Sequence, residues 1–150
     1  MSQLQDLYQE VILDHNRSPR NFHAMEDADS TIEGFNPLCG DHYKVYVKMR
    51  DDVVNEVSFE GAGCAISKSS ASVMTQIVKG KTRAEIDRLF RDFHRLVKGE
   101  ISPDEAGANL GKLAVFSGVS EFPARVKCAS LPWHTLKAAI EKKKELVTTE

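Results

Sequence analysis

The sequence predicts an α+β domain, a three-stranded antiparallel sheet covered by helices on one face. Three observations predict it. Hydrophobicity alternates with a period of two between Thr31 and Glu60, changes to a period near 3.6 from Ile66 onward, and is preceded by one separate amphipathic segment. Strands grouped first and helices afterwards favour segregated layers over the interleaved order of a parallel sheet. With 150 residues, 41% of them hydrophobic, the chain has the size of one domain, and 1–150 is read as a single unit.

Each element carries its own signals. Ser2 with Gln5 forms a capping-box pattern, and Leu4, Leu7, Tyr8, Val11 and Ile12 follow at helical spacing, predicting a helix over about 3–14. Asn16 to Arg20, with Pro19, stops it, and the acidic stretch Glu26 to Asp29 reads as surface loop. Tyr43, Val45, Val47 and Met49 alternate with Lys44, Tyr46 and Lys48. Asp51-Asp52 supplies a turn, and Val53, Asn55, Val57 and Phe59 continue the alternation. Strands are therefore expected at about 31–35, 42–49 and 53–60.

After Gly61-Ala62-Gly63 a helix is predicted from Ile66 to Lys79, closed by Gly80. Thr82 with Glu85 opens the next, with Ile86, Leu89, Phe90, Phe93 and Leu96 on one face and Gly99 after it. Ser102-Pro103-Asp104-Glu105 reads as a further helix start. Pro123 is expected to open a short helix holding Cys128, and Ser130 to cap a final helix carrying Trp133, Leu136, Ile140 and Leu146.

Charge narrows the function classes. A net charge of -2 and a pI of about 6.2 leave no broad basic field for nucleic acid or an anionic membrane. Lys142-Lys143-Lys144 stands between Glu141 and Glu145 and reads as a solvated helix face. The stretch Met1 to Asp6 has no basic region followed by an apolar run, and no window approaches about 18 apolar residues, so a cytoplasmic protein without membrane contact is expected. Three cysteines in a reducing compartment argue against a disulfide framework and turn attention to metal or thiolate chemistry.

Cys39, Asp41, Cys64 and Cys128 are the informative residues, each at the end of an expected element. Cys39 lies in Asn36-Pro37-Leu38-Cys39-Gly40-Asp41, a tight connection between strands. Cys64 begins a helix, where the positive end of the dipole favours thiolate. If loop, helix start and the Cys128 helix share one end of the sheet, three sulfurs and one carboxylate converge. Such a set suits tetrahedral zinc, and thiolates also suit iron–sulfur clusters. A hard carboxylate among soft sulfurs points to an exchangeable ligand. Taken singly, each cysteine also fits a small core residue and Asp41 a turn residue. His15, His23, His42, His94 and His134 are ligands by type without a partner at metal-site spacing. His42, adjacent to Asp41, should face the opposite side of its strand.

The segments Leu7–His15, Pro19-Arg20-Asn21, Asn36–Asp41, Phe59–Ser67 and Arg125–Ala129 resemble the SufU branch of the IscU-like (NifU N-terminal) iron–sulfur cluster assembly family, over about residues 4 to 141. The resemblance implies an α+β fold with a metal site at one end, and Cys39, Asp41, Cys64 and Cys128 as its ligands. It also implies a SufS-type cysteine desulfurase as partner, with downstream Suf assembly proteins beyond it; pyridoxal phosphate belongs to the desulfurase. Where IscU scaffolds carry a histidine before the third cysteine this chain has Lys127, and the proline-rich chaperone motif is replaced by Glu121 to Lys127. The interval between Cys64 and Cys128 leaves room for a helical insertion at about 98–118 resembling that of SufU.

Two activities fit. In the first, a zinc-dependent sulfurtransferase, a thiolate takes the outer sulfur of the desulfurase persulfide, so the acceptor must be deprotonated and reachable. Cys39, on a glycine-flanked loop, is the expected acceptor, with Asp41 beside it as the exchangeable ligand. The family resemblance suggests that a desulfurase histidine fills the vacated zinc position. In the second, the same four residues build a [2Fe–2S] cluster and pass it on. A zinc that only staples the fold is the third reading, in which metal removal unfolds the chain and Cys39 has no sulfur chemistry.

Overall fold

The protein is described from a computed structural model, which describes residues 3–106, 110–141 and 147–148. The Ser2 cap, Leu146 and the lysine run 142–144 lie outside the described residues. Helix α1 (Gln3–Arg17) leads into β1 (Ser30–Asn36), β2 (Asp41–Arg50) and β3 (Val53–Ala62). These strands form the expected antiparallel meander, and α2 (Ala65–Val78) and α3 (Arg83–Val97) follow. A one-turn helix α4 (Pro103–Ala106), a 3₁₀ helix (Gly111–Glu121), α5 (Pro123–Ile140) and the two-residue strand β4 (Val147–Thr148) complete the order. The sheet runs β3-β2-β1-β4, with β4 parallel to β1 at the edge.

Helices cover one face. α5 packs on β1 and β2, α2 lies beside it against β3, and α1 packs on α2. The core fills the gap with Tyr43, Val45 and Val47 of β2, Val57 and Phe59 of β3, Met74 of α2, and Leu131, Trp133 and Leu136 of α5, all buried. On the other face His42 and Lys44 are exposed, so His42 does point away from its neighbour Asp41. No helix among the described residues is long and apolar enough to cross a membrane.

Two expectations need correction. First, α5 is one continuous helix: Ser130 caps nothing, and its hydroxyl instead bonds the Val126 carbonyl at 2.7 Å. Pro132 sits inside this helix and cannot donate to the Cys128 carbonyl, yet burial of Leu131, Trp133 and Leu136 holds the helix through it. Second, β3 does not keep one phase. Lys48 pairs with Glu56 but Met49 with Val54, so Asn55 is an extra bulged residue, and Val54 rather than Val53 turns inward. The 98–118 segment, expected to be helical, holds α4 and most of an eleven-residue 3₁₀ helix. Leu113, Val115, Phe116 and Val119 are buried in it, and this packing sustains a 3₁₀ run longer than hydrogen bonding alone favours.

Two of the helix starts read from sequence carry their caps. Thr82 and Glu85 bond each other's backbone N–H reciprocally, and Ser102 and Glu105 do the same at α4.

Candidate metal centre

The β1–β2 connection sets the geometry. Asn36 and Asp41 are the last paired residues, and the intervening Pro37, Leu38, Cys39 and Gly40 form the loop. Asn36 is fully buried and works in two directions: its Oδ1 accepts the Leu38 N–H at 3.1 Å, and its Nδ2 reaches the Cys128 sulfur at 3.6 Å. Gly40, at φ +73°, adopts the left-handed backbone that returns the chain into β2 while Cys39 stays exposed. The loop therefore presents a thiol outward from a buried asparagine anchor.

Cys64 comes from the opposite side as the N-cap of α2. Its sulfur accepts the Ser67 N–H at 3.4 Å and lies 3.6 Å from the Ser67 hydroxyl, which itself bonds the Tyr43 hydroxyl at 2.8 Å. Asp41 joins the two sides: its Oδ1 accepts the Cys64 N–H at 2.8 Å, and its Oδ2 lies 3.9 Å from the Cys64 sulfur. Gly63 is pressed into this joint, where an added Cβ would stand 2.5 Å from Asp41 Oδ1, 2.5 Å from the Tyr43 hydroxyl and 2.7 Å from Ser67 Oγ. Cys128, in the second turn of α5, supplies a buried thiol 3.2 Å from the Cys39 sulfur.

Donor atoms of Cys39, Asp41 and Cys128 lie within 4.8 Å of one another. Cys64 stands outside that trio and reaches it through Asp41 and Cys128. Two ligands on one tetrahedral zinc lie about 3.3–3.8 Å apart for ordinary Zn–S and Zn–O bond lengths. The 3.2 Å Cys39–Cys128 and 3.9 Å Cys64–Asp41 separations are close to that, and thiols with a carboxylate are the donor types a zinc-type metal takes.

The protons are unevenly held. Cys64 is pulled down to about 6, first by the hydrogen bond from the Cys128 thiol and next, against burial, by the Ser67 N–H. Cys128 is pushed up by the same partnership with Cys64 and by burial, so it keeps the shared proton. A helix start favouring thiolate at Cys64 was legible in the sequence; the larger contribution of Cys128 was not.

None of the histidines enters the cluster. His15 is buried, with Nδ1 2.7 Å from the Ser72 hydroxyl, and is held down at about 4 by burial first and then by the charges of Arg20 and Lys112. His23 contacts the Ala24 carbonyl, His42 faces Glu33 at 3.4 Å, and His94 and His134 both pack on the Phe90 ring. Sequence reasoning missed Asn36, Tyr43 and Ser67. Asn36 and Ser67 stood inside the quoted motifs, but their partners are remote in sequence and no local pattern announces them.

The cluster opens on a groove of about 1040 Å³. Tyr8, Ile12 and Leu13 of α1, Ile66 of α2 and Val115 and Val119 of the 3₁₀ helix form its apolar walls, and Cys39, Cys64 and Cys128 line it beside Arg125.

Residues 7–129 match the model of the NifU-like N terminal domain. The chain is 39% identical to the zinc-dependent sulfurtransferase SufU of Bacillus subtilis, covering 93% of this chain and 92% of that protein. It is 37% identical to the iron–sulfur cluster assembly scaffold protein IscU of Streptococcus pyogenes, covering 95% and 87%. Among solved structures, an iron–sulfur cluster assembly scaffold protein for the SUF system from Fervidobacterium islandicum superposes with a TM-score of 0.81 at 34% identity, covering 91% of this chain and 98% of that one.

Proposed function

Because this chain belongs to the family of NifU-like N-terminal domains, whose named relatives assemble iron–sulfur clusters, we propose that it is a zinc-dependent sulfurtransferase that takes persulfide sulfur from a SufS-type cysteine desulfurase onto Cys39. The ligands are Cys39, Asp41, Cys64 and Cys128. Bound zinc keeps the thiols deprotonated at neutral pH. Downstream Suf assembly proteins in the cytoplasm receive the sulfur.

The observation that carries this reading is the asymmetry of the three thiols. Cys39 is exposed on a loop, whereas Cys64 is tied into a helix cap and Cys128 is 2% exposed within α5. Release of Cys39 from the cluster leaves Asp41, Cys64 and Cys128 in place, because their supports are Ser67, Tyr43, Asn36 and the packed helix rather than the loop. The freed thiolate then attacks the outer sulfur of a persulfide that enters along the groove, and the donor cysteine leaves as a thiolate. Aspartate holds its position by bonding the Cys64 N–H, so one carboxylate oxygen remains for a metal.

A scaffold that builds a [2Fe–2S] cluster on the same donors is the second reading, favoured by the relatives named as IscU scaffolds. Metal analysis of the untagged protein, with cysteine-dependent sulfide release by the desulfurase in the presence of reductant, separates the two. One zinc per chain, stimulated turnover, and loss of stimulation in a folded Cys39→Ser variant support transfer. A stable iron chromophore, with no sulfur adduct on Cys39, overturns it in favour of the scaffold.

A further inference from the structure

We propose that Cys128 is a resolving thiol: when it is free of metal, it attacks a persulfide on Cys39 and releases the carried sulfur as sulfide, leaving a Cys39–Cys128 disulfide. The inference rests on the reading of Cys39 as acceptor and adds an activity to it, a sulfide-releasing exit that needs no second protein.

The geometry selects the pair. The Cys128 sulfur is 3.2 Å from Cys39 Sγ, and bond formation requires closure to about 2.05 Å. The flexible partner for that movement is the exposed loop of Pro37 to Gly40, not the packed α5. Cys64 is the poorer candidate. It lies outside the trio that contains both other thiols, and its sulfur is engaged by Ser67 as the cap of α2. Asn36 holds the two reacting residues in register, since one amide bonds the Cys39 loop through Leu38 and the Cys128 sulfur directly.

The step balances without an external oxidant. As the Cys128 sulfur forms a bond to the Cys39 sulfur, the proton that Cys128 holds passes to the outer sulfur, the bond from Cys39 to the outer sulfur breaks, and the outer sulfur leaves with its own proton and that of Cys128 as H₂S. The outer sulfur is reduced to sulfide and the Cys128 sulfur is oxidised in its place, while the Cys39 sulfur stays at the disulfide level throughout. A dithiol reductant resets the pair. A metal on Cys128 commits its lone pair and closes this route, so metal occupancy decides whether Cys39 stores sulfur or discharges it.

The test loads the zinc-containing protein with desulfurase and cysteine, or with inorganic polysulfide alone, then removes excess sulfur and reductant. Half of each sample receives a chelator. Sulfide is measured by methylene blue, and tryptic peptides are mapped without reduction; Asn21–Lys44, Asp51–Lys68 and Cys128–Lys137 each hold one cysteine. With zinc retained, the added sulfur stays on Asn21–Lys44. After chelation one sulfide appears per persulfide lost, and Asn21–Lys44 is joined to Cys128–Lys137. Cys128→Ser should keep the persulfide and lose the sulfide, whereas Cys64→Ser, with its shell incomplete, should discharge without chelator.

Persistence of the Cys39 persulfide after chelation overturns the proposal while leaving the transferase reading intact. A mixture of pairings that includes Asp51–Lys68 also overturns it, because a disordered chain rather than a built pair then explains the chemistry. Sulfur on Cys39 from polysulfide but never from the desulfurase sinks the transferase reading alone, and the disulfide readout still decides for or against Cys128.

Discussion

The two sides of the thiol cluster are built differently. On one side Cys64, Asp41, Ser67, Tyr43 and Gly63 interlock: a helix cap, a strand end and a glycine with no room for a methyl group. On the other side Cys39 rides an exposed turn anchored by the buried Asn36 and touching the buried Cys128 sulfur. Both sides present sulfur, but only one is coupled to the stability of the fold. The proposed transfer would need this division, since a uniformly rigid shell would not open and a uniformly loose one would not hold.

The division can be broken from the rigid side first. Gly63→Ala forces a Cβ against Asp41, Tyr43 and Ser67 together, and should cost about 3 kcal/mol of stability with loss of metal, as over-packing does. Chemical denaturation with zinc analysis checks it; an unchanged midpoint would show that the joint is slack.

An effect of similar size should appear with pH through His15, which ties α1 to Ser72 of α2 behind the interlocked side. Its folded value of about 4 lies below the ordinary 6.5, so the unfolded chain binds the extra proton between those values. The stabilisation is fully present above pH 6.5 and is lost as pH falls toward 4, up to about 3 kcal/mol in all. His15→Gln should flatten that part of the stability–pH curve, and an equally steep variant would place the titration elsewhere.

Asp41 sharpens the comparison because it serves both sides. Asp41→Ala leaves the half-buried Cys64 N–H without its carboxylate, and about 1 kcal/mol should be lost along with slowed ligand exchange, while some metal is kept. Asp41→Asn retains an oxygen for that N–H, so it should recover most of the stability but not the metal affinity. Equal melting temperatures for the two variants would reduce Asp41 to a ligand without an anchoring role. Cys39→Ser should have the smallest effect on stability, within about 0.5 kcal/mol, although it abolishes sulfur acceptance. A large destabilisation measured by urea titration would show that the loop is as structural as the cap.

Much of this was legible in the chain. The meander, the Thr82–Glu85 capping box, and the positions of Cys39, Asp41 and Cys64 at element ends follow from local periodicity and from Gly, Pro and Thr signals. The remainder depended on contacts that local pattern does not encode. Ser130 looked like a cap because serine before an apolar run usually is one, but burial of Leu131 and Trp133 carried the helix through Pro132. Asn55 looked like part of an alternation until cross-strand register exposed the bulge. Ser67, Ser69, Ser70 and Ser72 of α2 are all buried. The hydroxyls of Ser67, Ser70 and Ser72 reach Tyr43, the Ala129 carbonyl and His15, partners the helix's own sequence does not announce.

The long interval between Asn36 and Cys128 has a consequence for the order of events during synthesis. Cys39, Asp41 and Cys64 emerge within one short stretch, but the amide–thiol contact spans 92 residues and forms only after α5 is made. Until then the nascent chain carries two thiols and a carboxylate without the buried Cys128 beside them. Docking of α5 is thus also the moment of enclosure, and premature metals or oxidants meet their chance before it, in the interval while the ribosome is still translating residues 65–128.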